Sequence, residues 1–465
     1  MAMNDWRGKQ VLILGAARQG LALARYLVAQ GARVTLNDQR SASALAEARQ
    51  SLADVEGTGR LMWAFDGHPF ELLDGIELLC PSGGVSLSLP IVQEALRRGI
   101  PLSNDSQIFL EACTCRTLGI TGSAGKTTTT SLVGQMAQTA FGADQVWVGG
   151  NIGSPLIGVL DQMRPEHLAV LELSSFQLEI MTRSVNVAGI LNITPNHLDR
   201  HASMQDYTAA KARLLRYQQS ADLAVLGRDD PGAWGLRSLV VGEVFSFGLR
   251  LPRHSAGTFL DDQGFLCWWD GASSHPLLPM SSIQLRGDHN LLNVLAACAL
   301  AWVAGVPPEV MQQTVAGFTG VPHRLELVRR WRGVAWYNDS IATAPERAMA
   351  AIRSFDEPLV LLAGGRDKNL PWDALAQLVH DRVDHLVVFG DASEKILQAI
   401  GATQPGERPY TLSHCQGLHE AVQQAAQVAQ AGDVVLLSPG GTSFDEFRDF
   451  EARGEAFRQW VLDLT

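Results

Sequence analysis

A variant phosphate-binding loop is the clearest chemical signature in the sequence. Residues 121–127 read Thr-Gly-Ser-Ala-Gly-Lys-Thr and lie between the apolar run 117–122 and a helical stretch. Backbone N–H groups at the start of a helix favour phosphate oxygens. We expect Lys126 to reach the β- and γ-phosphates and the Thr127 hydroxyl to bind Mg²⁺. The strict pattern requires glycine six residues before the lysine, where Ile120 stands.

Three further groups of polar residues follow later apolar runs or lie in a helical stretch. Glu172 ends the run 168–172, which is where a sheet of this type carries a metal-binding acid. His197 and Asp199 come after the run 188–194 and are available to a second metal or to a transferred acyl group. Lys211 follows in a helical stretch.

Lysine is scarce in this chain. The sequence has five lysines among 37 basic residues, and Lys126, Lys211 and Lys368 fall in segments with chemical signatures. Lysine can lose its proton, which arginine practically never does. We therefore interpret these three positions as sites where arginine cannot serve.

The elements that must position these residues alternate between strands and helices. Short Val-, Ile- and Leu-rich runs end in Gly, Asp, Asn or Ser, and many are separated by helical stretches. This pattern predicts parallel sheets covered on both faces, with ligands beyond the carboxyl ends of the strands. Residues 232–285 differ, since the Asp-Asp-Gln-Gly turn at 261–264 between apolar runs favours a small antiparallel patch.

The predicted fold class is α/β with three domains. Residues 1–106 are predicted to form a Rossmann-like domain, 107–320 a P-loop-type ATPase domain that carries the antiparallel patch, and 321–465 a second Rossmann-like domain.

A nucleotide crevice is predicted in the first domain. Its loop runs from Gly15 to Gly20 after a strand, and Asp38 ends the second strand. The middle glycine that lets a dinucleotide pyrophosphate approach the backbone is absent, which disfavours NAD. A different nucleotide diphosphate, held by Arg18, Asp38 and Arg40, fits better, and a ligand-free structural domain is the alternative.

Composition excludes several classes of protein. The 465 residues carry a net charge of −11, which disfavours a nucleic-acid partner. No apolar run reaches the ~18 residues of a membrane span, and the N-terminus has no signal-peptide pattern. The six cysteines are scattered, and the lone pair Cys113 and Cys115 has no matching second pair for structural zinc. These features predict a cytoplasmic protein without a membrane partner.

Taken together, the motifs resemble those of the Mur ligases of peptidoglycan synthesis along nearly the whole chain. In order they are GxxGKT, GGNIG, ELSSFQLE, NITxxHLDRH, YxxAK, GxHN, HR, NDS, GGxxK and LLSPGGTSFDEFRDFEARGEAF. ELSSFQLE, HLDRH and the C-terminal segment are most similar to those of the members that add D-glutamate. The resemblance implies ATP-dependent addition of D-glutamate to UDP-N-acetylmuramoyl-L-alanine through an acyl phosphate. It also implies two Mg²⁺ ions, a carbamylated Lys211 and a monomer.

The resemblance also implies roles for individual residues. The ATP-binding set is Gly122, Ser123, Ala124, Gly125, Lys126, Thr127, Thr128, Asn290, Asn293, Arg324 and Asp339. The UDP-substrate set is Arg18, Gln19, Asp38, Gln39, Arg40, Ser82, Asn151 and His197. The glutamate set is Thr343, Lys368, Ser443, Phe444 and Phe450, and the metal ligands are Thr127, Glu172, His197 and Lys211. The catalytic set is Lys126, Glu172, His197, Lys211 and Lys368.

Two positions depart from the family pattern. Ala124 stands where the loop usually has asparagine, and Ile341 stands where many D-glutamate-adding members have lysine. One alternative is a Mur-type ligase that adds L-glutamate or another amino acid, or that adds glutamate to a folate. The other is a nucleotide-binding regulatory protein that has lost catalysis. The argument against it is the joint retention of Lys126, Glu172, His197, Lys211 and Lys368.

Overall fold

The chain divides into two compact units. The computed structural model describes residues 5–196, 200–285, 287–368, 370–404 and 406–465. The first unit holds residues up to 283 together with 288–317, and the second holds 284–287 and 318–465. Two separate sheets lie in the first unit. The predicted division near residue 106 remains a proposal.

The first sheet is a four-stranded parallel sheet, as expected for a Rossmann-like domain. Its strands are β1 (Gln10–Leu14), β2 (Arg33–Asn37), β3 (Leu61–Ala64) and β4 (Leu78–Pro81), in the order β3-β2-β1-β4. The accompanying helices are α1 (Arg18–Ala29), α2 (Ala46–Ser51), α3 (Ala53–Glu56), α4 (Pro90–Arg97) and α5 (Asp105–Ala112), with a 3₁₀ turn at Phe70–Leu73. Strand β1 is apolar throughout its buried part because helices cover both faces of the sheet.

The second sheet has nine strands and is mostly parallel. They are β5 (Arg116–Thr121), β6 (Val146–Gly150), β7 (Leu168–Glu172), β8 (Val187–Ile190), β9 (Leu223–Gly227), β10 (Glu243–Phe247), β11 (Ala256–Leu260), β12 (Phe265–Trp269) and β13 (Ser274–Pro279). Their order is β13-β12-β11-β10-β9-β8-β5-β7-β6, and only β11–β12 and β12–β13 pair antiparallel. The antiparallel patch is therefore confirmed, and it extends the central sheet instead of standing apart from it.

The helices of the second sheet include one that is buried along most of its length. They are α6 (Lys126–Phe141), α7 (Ser175–Leu178), α8 (Met204–Arg216), α9 (Pro231–Gly235), α10 (Asp288–Ala304) and α11 (Pro308–Gly317), with 3₁₀ turns at Leu156–Gln162, Leu236–Leu239 and Met280–Ser282. Residues 293–301 of α10 are all buried. Among the described residues, no helix combines the length and the apolar character that crossing a membrane would require.

The second unit is built on a six-stranded sheet. Its strands are β14 (Glu326–Trp331), β15 (Val334–Asn338), β16 (Leu359–Gly364), β17 (His385–Phe389), β18 (Thr411–Cys415) and β19 (Val434–Gly440), in the order β14-β15-β19-β16-β17-β18. Only β14 pairs antiparallel. The helices α12 (Pro345–Ile352), α13 (Asp373–Arg382), α14 (Ser393–Ile400), α15 (Leu418–Val428) and α16 (Phe450–Asp463) pack on two apolar faces. The loops after β15, β19 and β16 thus leave neighbouring strands at one edge.

One buried asparagine joins the two sheets of the first unit. The Asn104 side chain accepts the Gln107 backbone N–H at 2.8 Å and so caps α5. Its amide also donates to the Gln177 carbonyl at 2.8 Å, in the helix that follows β7. The Gln177 side chain returns a hydrogen bond to Ser106 Oγ at 2.9 Å.

We expect Asn104→Ala to lower the free energy of unfolding of the first unit by about 2–3 kcal/mol. The change removes a helix cap and leaves a buried carbonyl without its donor. The matched control is Ser203→Ala, which removes the exposed N-cap of α8 and should cost about 1 kcal/mol. Urea denaturation of the full chain measures both, and equal losses would contradict the bridging role of Asn104.

Candidate functional site

The phosphate loop lies between β5 and α6, as the sequence predicts. Gly125 precedes α6 with a positive φ of 83°. A Cβ at Gly125 would lie 2.1 Å from Asn293 Oδ1, so the side chain from α10 needs glycine here. The Lys126 ammonium donates to the Gly122 carbonyl at 2.9 Å. The loop is therefore curled around its own lysine, and its N–H groups precede a 16-residue helix.

Two side chains that the sequence analysis did not assign hold this loop in place. Asn192 accepts the Ala124 N–H at 2.8 Å and donates to the Ala124 carbonyl at 3.2 Å. Tyr207 donates its hydroxyl proton to Ser123 Oγ at 3.0 Å, and Ser123 donates in turn to the Thr194 carbonyl. Asn192 lies just past β8, the neighbour of β5, and its place at a strand end was the available signal.

Glu172 is a buried carboxylate with one oxygen engaged. It ends β7, is 2% exposed, and accepts the Asn151 side-chain amide on Oε1 at 2.8 Å. The Asn151 backbone N–H also donates to the Glu172 carbonyl at 2.8 Å. The other oxygen, Oε2, is buried and has no hydrogen-bond partner in the part of the chain that the structure describes. Asn151, predicted to contact the substrate, thus also orients this carboxylate.

Lys211 is buried beside the phosphate loop. Its side chain is 1% exposed, and Nζ lies 2.9 Å from the Gly122 carbonyl oxygen and 3.3 Å from Thr121 Oγ1. That carbonyl is the same one that Lys126 contacts. Burial holds the pKa of Lys211 well below its ordinary value; the Lys126 charge lowers it further, and Glu172 opposes the shift. Lys211 is therefore poised to lose its proton.

These donors fit a divalent cation. Mg²⁺ prefers oxygen ligands, and Glu172 Oε2 is a buried oxygen that lacks a partner among the described residues. Thr127 follows Lys126 in the first turn of α6 and is half-buried, as is Thr128. Asn293 donates to Asn290 Oδ1 at 3.0 Å, which ties two of the predicted ATP-binding residues together.

Two of the predicted ligands, His197 and Asp199, lie outside the described residues. The nearby His201 is buried, and its Nε2 lies 3.0 Å from Ser175 Oγ. Its ring stacks on Phe176 with centroids 5.3 Å apart.

The predicted nucleotide crevice of the first sheet holds a carboxylate that is already paired. Asp38 accepts the Ala16 N–H at 2.9 Å and two guanidinium N–H groups of Arg40 at 2.9 and 3.0 Å. The Arg40 hydrogen bonds hold the pKa of Asp38 well below its usual range. Arg18 and Gln39 are exposed beside this pair. Asp38 therefore stays ionised and fixes both the loop after β1 and Arg40.

Two further predicted residues link the same crevice to its neighbouring loop. Gln19 accepts the Gly83 N–H at 3.3 Å, and Ser82 donates to the Gly15 carbonyl at 3.1 Å. These bonds connect the turn after β1 with the turn after β4. The two loops that border the predicted crevice are therefore tied to each other.

The predicted glutamate-binding residues converge in the second unit. Lys368 Nζ lies 3.5 Å from Thr343 Oγ1; Thr343 follows β15 and Lys368 follows β16, and β19 lies between these two strands. Ser443 is buried, whereas Phe444 is 60% exposed. Phe450 begins α16, and its carbonyl accepts the Ser340 hydroxyl at 2.8 Å. Thr343, Lys368, Ser443 and Phe444 thus lie in loops that leave the same edge of the sheet, and Phe450 begins the helix that follows one of these loops.

Asp339 is a buried acid in the same unit. It is 5% exposed and accepts the Leu325 N–H at 3.2 Å and the Ser438 hydroxyl at 2.8 Å. Burial raises its pKa to about 7, although the two hydrogen bonds and Arg324 oppose the shift. Arg324 itself is exposed.

Comparison with known proteins gives one consistent result. The model described as Mur ligase MurD-like, N-terminal domain, matches residues 9–104, the Mur ligase middle domain matches 120–301, and the Mur ligase, glutamate ligase domain, matches 323–441. The UDP-N-acetylmuramoylalanine–D-glutamate ligase of Symbiobacterium thermophilum is 39% identical over 98% of each chain. The enzyme of that name from Acidobacterium capsulatum is also 39% identical, over 98% of this chain and 97% of its own.

Solved structures share the fold. UDP-N-acetylmuramate-alanine ligase MurC from Thermotoga maritima matches with a TM-score of 0.56 at 18% identity, over 97% of this chain and 99% of its own. MurF ligase from the same organism, in complex with ADP, matches with a TM-score of 0.53 at 17% identity, over 99% and 97%.

The buried Asp339 predicts a pH-dependent stability of the second unit. Its folded pKa of about 7 lies above its ordinary value of 3.8, so ionisation opposes folding. The contribution of this group should fall as pH rises from about 4 to about 7. Relative to wild type, Asp339→Asn should therefore gain unfolding free energy between pH 5 and pH 8. Urea denaturation over that range measures it, with the exposed Asp356→Asn as control, and parallel pH profiles for all three proteins would contradict the prediction.

Proposed function

Because this chain belongs to the Mur ligase family, we propose that it joins D-glutamate to UDP-N-acetylmuramoyl-L-alanine, converting ATP to ADP and phosphate. The observation that carries the proposal is the 39% identity to a ligase of that name over 98% of both chains. The phosphate loop, the buried Glu172 and the two lysines on one carbonyl support it from within the chain. The product belongs to peptidoglycan precursor synthesis.

The first step is phosphoryl transfer. A carboxylate oxygen of the alanyl group attacks the γ-phosphorus of ATP, the bond to the β-γ bridging oxygen breaks, and an acyl phosphate and ADP result. The N–H groups that precede α6 and the Lys126 ammonium stabilise the charge that develops on the phosphate oxygens. The contact of Lys126 with Gly122 keeps its ammonium at the loop before ATP binds.

Divalent cations would neutralise the charge between the triphosphate and the substrate carboxylate. Thr127 and Glu172 would hold the first, and His197 and Lys211 would serve the second. Asn151 donates a hydrogen bond to Glu172 Oε1. This bond fixes the orientation of the carboxylate and leaves Oε2 for the cation. The requirement for two ions is part of the proposal.

Lys211 is proposed to carry a carbamate. Its neutral amine attacks carbon dioxide, a C–N bond forms, and one proton leaves, so a cationic side chain becomes an anionic oxygen ligand. Burial lowers the pKa of Lys211 and so favours the neutral amine that this reaction needs.

The second step is amide formation. The amine of D-glutamate attacks the acyl carbon, phosphate leaves, and the amine loses a proton. Lys368 and the Thr343 and Ser443 hydroxyls are proposed to bind the glutamate carboxylates, with Phe450 along the methylene stem. Arg324 and Asp339 are proposed to act on the ATP side. The uridine diphosphate group would be held by Arg18, Gln19, Asp38, Gln39, Arg40 and Ser82.

Two finer points complete the proposal. The enzyme would act as a monomer in the cytoplasm, where ATP and nucleotide precursors are available. Specificity for D-glutamate over L-glutamate rests on the named relatives, and an L-glutamate-adding ligase is the second candidate because Ile341 replaces a lysine found in many D-glutamate-adding members.

The test is phosphate release from ATP with a panel of D- and L-amino acids. Release should require both UDP-N-acetylmuramoyl-L-alanine and D-glutamate, and Lys126→Ala should lower kcat by at least 100-fold because a cation facing the developing charge is lost. A preference for L-glutamate would keep the ligase and reject the named substrate. Release without either co-substrate would reject the ligase.

Lys211→Ala should abolish activity, and acetate or formate should restore part of it. A short carboxylate can occupy the space left by the side chain and supply the missing anionic oxygens. The matched control is Lys395→Ala, which removes an exposed lysine paired with Asp367. ¹³C NMR after exposure to ¹³C-labelled bicarbonate should show a carbamate signal in wild type that Lys211→Ala lacks. Full activity of Lys211→Arg would contradict the carbamate.

A further inference from the structure

A fully buried guanidinium lies behind the loops that carry the proposed amino-acid site. Arg453, in the second turn of α16, is 0% exposed. Its hydrogen-bond acceptors are the Ser340 hydroxyl, the Ser340 carbonyl and the Gly441 carbonyl. Arg453 is not among the site residues predicted from the sequence, although it lies in the C-terminal motif.

The first loop that Arg453 holds follows β15. Nε donates to Ser340 Oγ at 3.0 Å, and Nη2 donates to the Ser340 carbonyl at 2.9 Å. The Ser340 hydroxyl in turn donates a hydrogen bond to the Phe450 carbonyl at 2.8 Å. Ser340 is thus held by Arg453 and by the start of α16. It lies three residues before Thr343.

The second loop follows β19. Nη1 and Nη2 donate to the Gly441 carbonyl at 3.2 and 3.1 Å, two residues before Ser443. The two loops also contact each other directly, because the Gly440 N–H donates to the Ala342 carbonyl at 2.8 Å.

The third loop, after β16, is tied on through the second. Arg366 and Thr442 exchange backbone hydrogen bonds of 2.8 and 2.9 Å, and Thr442 Oγ1 adds a third to the Arg366 carbonyl. Arg366 lies two residues before Lys368. A displacement at Gly441 would therefore reach Ser443 directly and Lys368 through one pair of hydrogen bonds.

The chemistry of these contacts requires arginine. A planar guanidinium has donors in a rigid fork, whereas a lysine ammonium has three donors at one point. Burial lowers the pKa of Arg453 to about 10, so the side chain remains cationic at pH 7. A buried cation with neutral acceptors is costly to maintain, which argues that the geometry it imposes is used.

We propose that Arg453 is a positioning residue for the amino-acid substrate: its fork sets the spacing of the Ser340–Thr343 and Gly441–Ser443 loops. The proposal rests on the glutamate site proposed above. Arg453 does not touch the substrate, and it acts through Thr343, Ser443 and Lys368.

The experiment compares Arg453→Met and Arg453→Lys with wild type in two measurements. In the ligase assay, Arg453→Met should raise the KM for D-glutamate at least tenfold and leave the KM for ATP within twofold. Arg453→Lys should give an intermediate rise, since it keeps the charge and loses the fork. Hydrogen exchange should accelerate in peptides covering 340–344 and 441–444, and not in the α16 backbone.

The matched control is Arg458→Met on the same helix. Arg458 pairs with Glu326 through bonds of 2.7 and 3.0 Å, so its loss weakens the docking of α16 without touching either loop. It should leave the KM for D-glutamate and exchange in the loops unchanged. Where Arg453→Met does not fold, Ser340→Ala removes the hydroxyl between Arg453 and Phe450 and should shift the KM in the same direction.

Several results would overturn the proposal. These are equal increases in both KM values, a loss in kcat alone, wild-type behaviour of Arg453→Lys, or unchanged loop exchange in a folded Arg453→Met. Failure of the proposed function is a separate outcome: wild type would then release no phosphate with D-glutamate. The exchange comparison still decides whether Arg453 orders the loops.

Discussion

Two amines share one carbonyl oxygen, and this shared contact ties the loop after β5 to both α6 and α8. Lys126 and Lys211 both lie 2.9 Å from the Gly122 carbonyl, the first from α6 and the second from α8. Two ammonium groups at one acceptor repel each other, and burial of Lys211 strengthens the repulsion because water cannot screen it. Loss of the Lys211 proton, or conversion of its side chain to an anion, removes this repulsion.

The second unit also has loops that must be held in place beyond the ends of their strands, and a different kind of contact holds them. The loops proposed to bind the amino-acid substrate leave β15, β19 and β16, which are consecutive in the sheet, so their starting points are set by the strands. Loops have no ladder of hydrogen bonds to hold them, and their spacing depends on side chains from elsewhere. α16 supplies that support from behind, with Arg453 donating to Ser340 and Gly441.

The parallel sheets, the phosphate loop and the antiparallel hairpin could be predicted because each has a signal within a short stretch of the sequence. Apolar runs of strand length, glycines in a loop and the turn at 261–264 need no distant partner to be recognised. The contacts of Asn192 with Ala124 and of Asn151 with Glu172 could not, because residues 68 and 21 positions apart meet only after the strands have taken their order. The same holds for Arg453 and Ser340, which are 113 positions apart. The continuity of the hairpin with the central sheet likewise depends on β10 pairing with β11.

Ile341 makes the support behind the substrate loops more important in this chain. An isoleucine at this position provides no cation, so the charge offered to a substrate carboxylate by the loop after β15 is lost. Lys368 is exposed, and the side chain of an exposed lysine is free to sample many rotamers unless a neighbour limits it. Among the residues that the structure describes, its ammonium has one hydrogen-bond partner, Thr343 Oγ1 at 3.5 Å. Recognition of a substrate carboxylate by charge then depends on the distance between the Thr343 and Lys368 loops. The buried guanidinium of Arg453 sets that distance through Gly441 and Thr442.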